Sequence, residues 1–335
     1  MHSWCDTDKE EFEEKGMTST YLIMDNVSVV RFFILSGLNE TNDYRVTLFT
    51  FTLLYYCMIL FFNISIIMII ILDQNLHEPM YILLCSFCMN GLYGTTCFYP
   101  KFLLDLFSSS QQISYEWCLL QAFVMYSFAC CEVSILAVMA YDRYLAICRP
   151  LHYQSVMTKR KVSQLICFSW FTPFCIFSIN VLLTSRLKLC GVKIDRLFCV
   201  NWAIVKLACY ESDTFSNNIT AYFTLIIYLS QGLFIIWTYM YLIRTCVKSK
   251  NERVKFMQTC VPHLASLFTF IVAVLFDLMH MRFGSTDLPQ SLQNFIAMEI
   301  LLLPPVMNPL VYGFKLTKIR NRILGCVFLQ ENYRH

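Results

Sequence analysis

The chain has 335 residues, of which 57% are hydrophobic, 16% aromatic and only 15% charged, with a formal net charge of +3. Soluble domains carry about a quarter charged residues, so a soluble enzyme, a disordered chain and a nucleic-acid binder are all poor readings, and +3 is too small to imply a polyanionic partner. Mean hydropathy of +0.53 fits one membrane domain, provided the apolar residues fall in runs of about 20.

Residues 1–23 hold Asp6, Asp8, Glu10, Glu11, Glu13 and Glu14 and lack the apolar core of a signal peptide. With residues up to 45 they form an N-terminal segment ahead of the first apolar run, 46–72. The second run is 79–100, and the third, 117–141, contains one charge, Glu132. Runs 162–185 and 214–243 are charge-free; run 256–276 holds His263, and run 288–314 holds Glu299. Each is long enough to cross about 30 Å of hydrocarbon. Backbone in lipid must close its own hydrogen bonds, which makes each run a helix. The expected fold is an all-α membrane protein: a seven-transmembrane helix bundle over residues 46–314, followed by a short tail, 315–335.

Basic residues set the expected orientation. Arg149, Lys159, Arg160 and Lys161 follow the third run; Arg244, Lys248, Lys250, Arg253 and Lys255 follow the fifth; Lys315, Lys318, Arg320 and Arg322 follow the seventh. The short opposite loops hold few basic residues, Lys101 in one and Arg282 in another; loop 186–213 carries five but is long, and basic charge counts most in short loops. This places the N-terminus and residues 1–45 outside and the C-terminus in the cytoplasm.

No CxxC pair among the 17 cysteines sits with a second pair at zinc spacing, so no metal is expected, and no cofactor is expected either. Cys118 opens the third run on its outer side, and Cys190, Cys199 and Cys209 lie in loop 186–213, facing a space where disulfides persist. Of four Asn-x-Ser/Thr sequons, Asn63 lies within a run and Asn218 at a run's outer rim, leaving Asn26 and Asn39 as glycosylation candidates. Ionisable groups inside spans are functional candidates by default; here these are Glu132, His263 and Glu299.

Four blocks carry a resemblance. The third run ends Met139-Ala140-Tyr141-Asp142-Arg143-Tyr144-Leu145-Ala146-Ile147-Cys148-Arg149-Pro150-Leu151-His152-Tyr153, and the seventh ends Pro305-Val306-Met307-Asn308-Pro309-Leu310-Val311-Tyr312. The second opens Leu76-His77-Glu78-Pro79-Met80-Tyr81, and the sixth opens Lys255-Phe256-Met257-Gln258-Thr259-Cys260-Val261-Pro262-His263-Leu264. Over residues 24–322 the chain resembles the odorant (olfactory) receptor family of rhodopsin-like (class A) G-protein-coupled receptors. Asn90-Gly91-Leu92-Tyr93-Gly94-Thr95 is similar to fish members.

The resemblance implies a plasma-membrane receptor with no catalysed reaction. A small-molecule odorant binds, and a heterotrimeric G protein of the stimulatory type raises cyclic AMP. Coupling and activation fall to Asp142, Arg143, Tyr144, Asn308, Pro309 and Tyr312. A carboxylate can hold Arg143 in the off state, whereas the bland alternative is an arginine snorkelling to headgroups. Pro309, with Pro304 and Pro305 upstream, makes the seventh run deformable or merely kinked. The family pattern pairs Cys118 with Cys199 and Cys190 with Cys209, folding the loop into a lid. Beneath it the expected pocket takes Met125, Tyr126, Ala129 and Cys130 from the third run, Tyr222 and Phe223 from the fifth, and Val274, Asp277 and Leu278 from the sixth. Asp277 would favour a cationic odorant or simply face water. Asn26 matches the family's glycan position.

Members commonly pair an acid at the place of Glu132 with a second-run aspartate to frame a sodium site. Gly91 stands there in this chain, so Glu132 is expected to stay protonated or to find a partner on the seventh run, with Asn308 a candidate. Trp170, midway in the fourth run, reads as packing. A transporter or channel would show internal repeats or broken helix pairs, and a light receptor would need a lysine in 288–314, which has none. An amine or peptide receptor is the alternative within the class; the cysteine-rich loop and His152-Tyr153 weigh against it. Residues 1–23 match nothing in the family and are expected to be dispensable, the competing reading being that their carboxylates attract a basic partner.

Overall fold

The computed structural model describes residues 21–24, 27–38, 44–108, 110–246, 264, 267–268, 270–272 and 290–315. Six long helices fall on six of the expected runs: α1 Arg45–Leu72, α2 Pro79–Asp105, α3 Tyr115–Cys148, α5 Lys159–Thr184, α7 Phe215–Cys246 and α8 Gln290–Lys315. Two short ones, α4 Pro150–Val156 and α6 Asn201–Val205, lie in the connections after α3 and α5. Helices α1, α2, α3, α5 and α7 are long and apolar enough to cross a membrane, and α8 carries a shorter apolar stretch, Leu292–Met307. Most of run 256–276 lies outside the described residues; those described, Leu264, Leu267, Phe268, Phe270, Ile271 and Val272, are helical.

Helix starts follow local chemistry. Pro79 opens α2, where its missing N–H costs nothing. Ser114 caps α3 by accepting from the Trp117 amide, with Glu116 in the positive first turn. Thr158 caps α5 by accepting from the Lys161 amide. Helices α2 and α3 form the buried centre, while α1, α5 and α7 bury only a strip. Their exposed Leu54, Phe61, Phe171 and Leu233 suit a hydrocarbon solvent, since a helix apolar all round belongs in a membrane. The α2–α3 contact depends on Gly94: a Cβ there would sit 2.4 Å from the Phe128 ring, so a small residue lets the helices close.

Strands accompany the helices, which the seven-run pattern did not contain. Strand β1 Tyr21–Met24 pairs antiparallel with β2 Val27–Val30, so the expected boundary after residue 23 falls within β1. Strands β4 Gln112–Ser114, β3 Phe32–Leu35 and β5 Lys193–Ile194 form one sheet, with β3 central, antiparallel to β4 and parallel to β5. Phe33 and Leu35 are buried and Phe32 is exposed, the two-residue alternation of a strand with one face on a core. The segment before α1 is thus stitched to two other loops.

Candidate functional site

Near the start of α3, Cys118 is bonded to Cys199, and Cys190 to Cys209, with Cα separations of 5.3 and 4.9 Å. Gln121, one turn beyond Cys118 and buried, accepts from the Cys199 amide at 2.8 Å. A buried polar ladder continues sideways: Asn217 donates to Thr184, Thr184 to Asn201 on α6, and Thr220 to Asn180. Ser36 donates to Asp195 at 2.6 Å, tying the segment after β3 to the one after β5. Hydrogen bonding to Ser36, and then to Lys193, holds the Asp195 carboxyl below its ordinary range.

Beneath these cross-links, Leu38, Leu197 and Phe198 pack in one buried cluster with Phe98, Tyr99, Met125, Phe128 and Leu301. Of the expected pocket residues, Met125 belongs to this cluster, and Tyr126 stacks on Phe177 of α5 at 5.4 Å. Ala129 and Cys130 are half-buried. Tyr222 and Phe223 are 54% and 61% exposed, so burial does not gather them with Met125. Val274, Asp277 and Leu278 lie outside the described residues, as do His263, Asn26 and Asn39. A separate groove of about 760 Å³ lies among Arg31, Glu116, Lys188 and Tyr210, and Met125 does not line it.

Midway along α3, Glu132 is buried and accepts from the Asn90 amide nitrogen at 2.8 Å, while the same amide donates to the Phe128 carbonyl at 3.1 Å. The partner sought on the seventh run is supplied by the second, one residue before Gly91. A Cβ at Gly91 would instead meet Asn63 and Pro305 at 3.5 and 3.7 Å. Asn63, set aside as an unusable sequon, donates to the Pro305 carbonyl at 2.8 Å; a buried asparagine in a span was the signal for it. Trp170 donates to Ser86 at 3.0 Å and meets Tyr93 edge-on, which is packing. Glu299 is half-buried on α8.

At the other end of α3, Asp142 is 1% exposed and pairs with the neighbouring Arg143, whose Nε lies 2.9 Å from Oδ2. The Tyr153 hydroxyl on α4 donates to the other carboxylate oxygen at 2.8 Å. Burial, and then the Asp142 charge, push the Tyr153 phenol up. Sequence reasoning took Tyr153 only as part of a block; the structure makes it the second partner of Asp142. Tyr144 packs between Trp237 and Tyr241 of α7. Pro309 is buried in α8, whereas the side chains of Asn308 and Tyr312 lie outside the described residues. Among the described residues no three His, Cys, Asp or Glu side chains come together to hold a metal.

Comparison with known proteins matches residues 51–330 to the family described as olfactory receptor. The chain is 32% identical to human olfactory receptor 11H6, over 89% of this chain and 91% of that one. It is 31% identical to human olfactory receptor 4E1, over 91% and 96%, and 32% identical to human olfactory receptor 6F1, over 89% and 97%.

Proposed function

The chain belongs to the olfactory receptor family, seven-span receptors of the plasma membrane rather than enzymes, and from that premise we propose that it binds a small odorant within its bundle and raises cyclic AMP through a stimulatory heterotrimeric G protein. The observation that carries this reading is the arrangement along α3. Cross-linked loops close on it at Cys118, and at Arg143 it ends in a buried, exchangeable ion pair. A rise of 1.5 Å per residue separates the two by about 37 Å, the depth of a bilayer. The lid and N-terminus face outside, carrying glycans at Asn26 and Asn39. Arg143 and residues 315–335 face the cytoplasm.

In this reading the odorant seats against Met125, Tyr126, Ala129 and Cys130, with Tyr222, Phe223, Val274, Asp277 and Leu278 completing the wall. Apolar walls with few polar groups suit a small ligand. The ligand binds the parted arrangement better, and only that difference shifts the population. Arg143 then exchanges Asp142 for the G protein, with Tyr144, Asn308, Pro309 and Tyr312 accommodating the shift. Residues 1–23 are dispensable for this; equal surface level and potency in a chain starting at Met24 would support it. The test of the function is an odorant panel on transfected cells with a cyclic-AMP reporter and the stimulatory G protein supplied. A dose-dependent rise is expected for at least one odorant. Agonist responses running only through another second messenger would refute the stimulatory assignment.

A further inference from the structure

Helix α8 contains Pro304, Pro305 and Pro309. A helical carbonyl at position i is normally met by the amide at i+4, or by that at i+3 in a tighter turn, and proline has no amide hydrogen to give. Leu301 is the residue of α8 whose i+3 and i+4 positions are both proline, so its carbonyl has neither partner within its own helix. It is also fully buried, where an unmet carbonyl is costly.

The structure fills that vacancy from α2. The Tyr99 hydroxyl donates to the Leu301 carbonyl at 3.3 Å. Two further donors support the same stretch: Tyr55 reaches the Leu302 carbonyl at 2.6 Å, and Asn63 reaches the carbonyl of Pro305, whose own i+4 partner is Pro309. Asn63 has no ring and the Tyr55 ring packs only partly buried against the cluster containing Met125, Phe198 and Leu301, whereas Tyr99 is a fully buried member of it. The Tyr99 ring is 0% exposed and stacks on Tyr56 at 4.9 Å. One side chain thus shares a buried cluster with Met125, which is assigned to the odorant layer, and bonds the proline-weakened turn of the seventh span.

We propose that the Tyr99 hydroxyl substitutes for the missing backbone amide of α8 and holds the seventh span in the resting arrangement, so that an odorant pressing on the Tyr99 ring releases it. The inference rests on reading the Asp142–Arg143 pair as the resting state. Tyr99 is a positioning residue: it acts through α8 and need not touch the G protein.

A double-mutant cycle tests this. Tyr99→Phe keeps the ring and removes the donor; at equal surface level it should raise basal cyclic AMP about three- to tenfold, the shift in populations that one hydrogen bond commands. Pro305→Ala returns an amide four residues after Leu301. In that background the hydroxyl is redundant, and adding Tyr99→Phe should change the basal signal by less than about twofold. A ring that merely packs would give the same effect in both backgrounds, and that result, or an unchanged basal signal in Tyr99→Phe, overturns the proposal. If every version, wild type included, gives neither basal nor agonist signal, the coupling reading has failed instead. The same cycle read on the thermal unfolding of purified receptor then decides the hydrogen bond: non-additive shifts support the cap, and additive shifts overturn it.

Discussion

The two ends of α3 are held by different kinds of bond. At the Cys118 end there are two disulfides, a three-stranded sheet with β3 at its centre, and the ladder of Asn180, Thr184, Asn201, Asn217 and Thr220. At the Arg143 end the polar connections include an ion pair between sequence neighbours, a tyrosine hydroxyl and a long Cys148–Thr245 contact at 3.6 Å. A disulfide contributes about 2–4 kcal/mol and a hydrogen bond about 1 kcal/mol. In the proposed reading the first end keeps one shape above the odorant, and the second offers weaker contacts that the G protein replaces.

The largest expected effect lies at the exchangeable end. Arg143→Ala should reach the cell surface and give no cyclic-AMP response to an agonist of the parent receptor; a normal response would remove Arg143 from the coupling role. Next comes the cross-linked end, where the two bridges should not be equal. The Cys118–Cys199 bond closes 81 residues and ties the loop to α3, whereas Cys190–Cys209 closes 19 within the loop. Loop-closure entropy gives on the order of 4–5 kcal/mol for the first and about 3 kcal/mol for the second. Cys118→Ser should therefore lower surface expression more than Cys190→Ser. Equal losses, or recovery of all four cysteines as free thiols in folded receptor, would contradict a lid anchored on α3.

A smaller effect separates switch from scaffold at the Arg143 end. Tyr153→Phe removes one donor from a buried carboxylate and leaves the ring in place. Asp142 then holds Arg143 less firmly, and the basal signal should rise about two- to fivefold, the worth of a single hydrogen bond. A basal signal at the parent level would mean that Tyr153 only anchors α4.

The helices were legible in the sequence because lipid imposes a long apolar run on each span, and no soluble core demands that of residues 46–72 or 162–185. The four bonded cysteines were legible because they sit in a pattern whose order and spacing are specific to one family. The partners were not legible. Asn90 and Gly91 are adjacent, yet on a helix they point about 100° apart, and the residue that meets Glu132 is the one the family pattern does not mark. Tyr99 and Leu301 are far apart in sequence, and their bond follows only once α2 and α8 are placed side by side. Strand β3 was missed for a different reason. Four residues have too little periodicity to stand out, and its stability comes from β4 and β5, which are themselves two or three residues long.

The smallest predicted effect is a pH dependence confined to the lid. Asp195 accepts from Ser36 at 2.6 Å and lies 3.3 Å from Lys193, and these contacts lower its carboxyl from the ordinary 3.8. A carboxylate whose folded-state pKa is depressed adds stability above its unfolded value, and loses it as the pH falls through the folded value. The contribution is therefore complete at neutral pH and is lost below about pH 4. Its side chain is 70% exposed, so water screens the interaction and the change should remain local. The Ser36 amide, which donates to the Ile194 carbonyl at 3.0 Å, is the reporter. At neutral pH, hydrogen exchange at this amide should be faster in Asp195→Asn than in the parent receptor. The gap should close as the pH falls through the titration of Asp195, because a protonated carboxyl and an amide then present similar partners to Ser36. A gap of constant size across the whole range would mean that asparagine disturbs the backbone rather than the charge, and no gap at neutral pH would mean that the Ser36–Asp195 bond does not hold β3 against the loop.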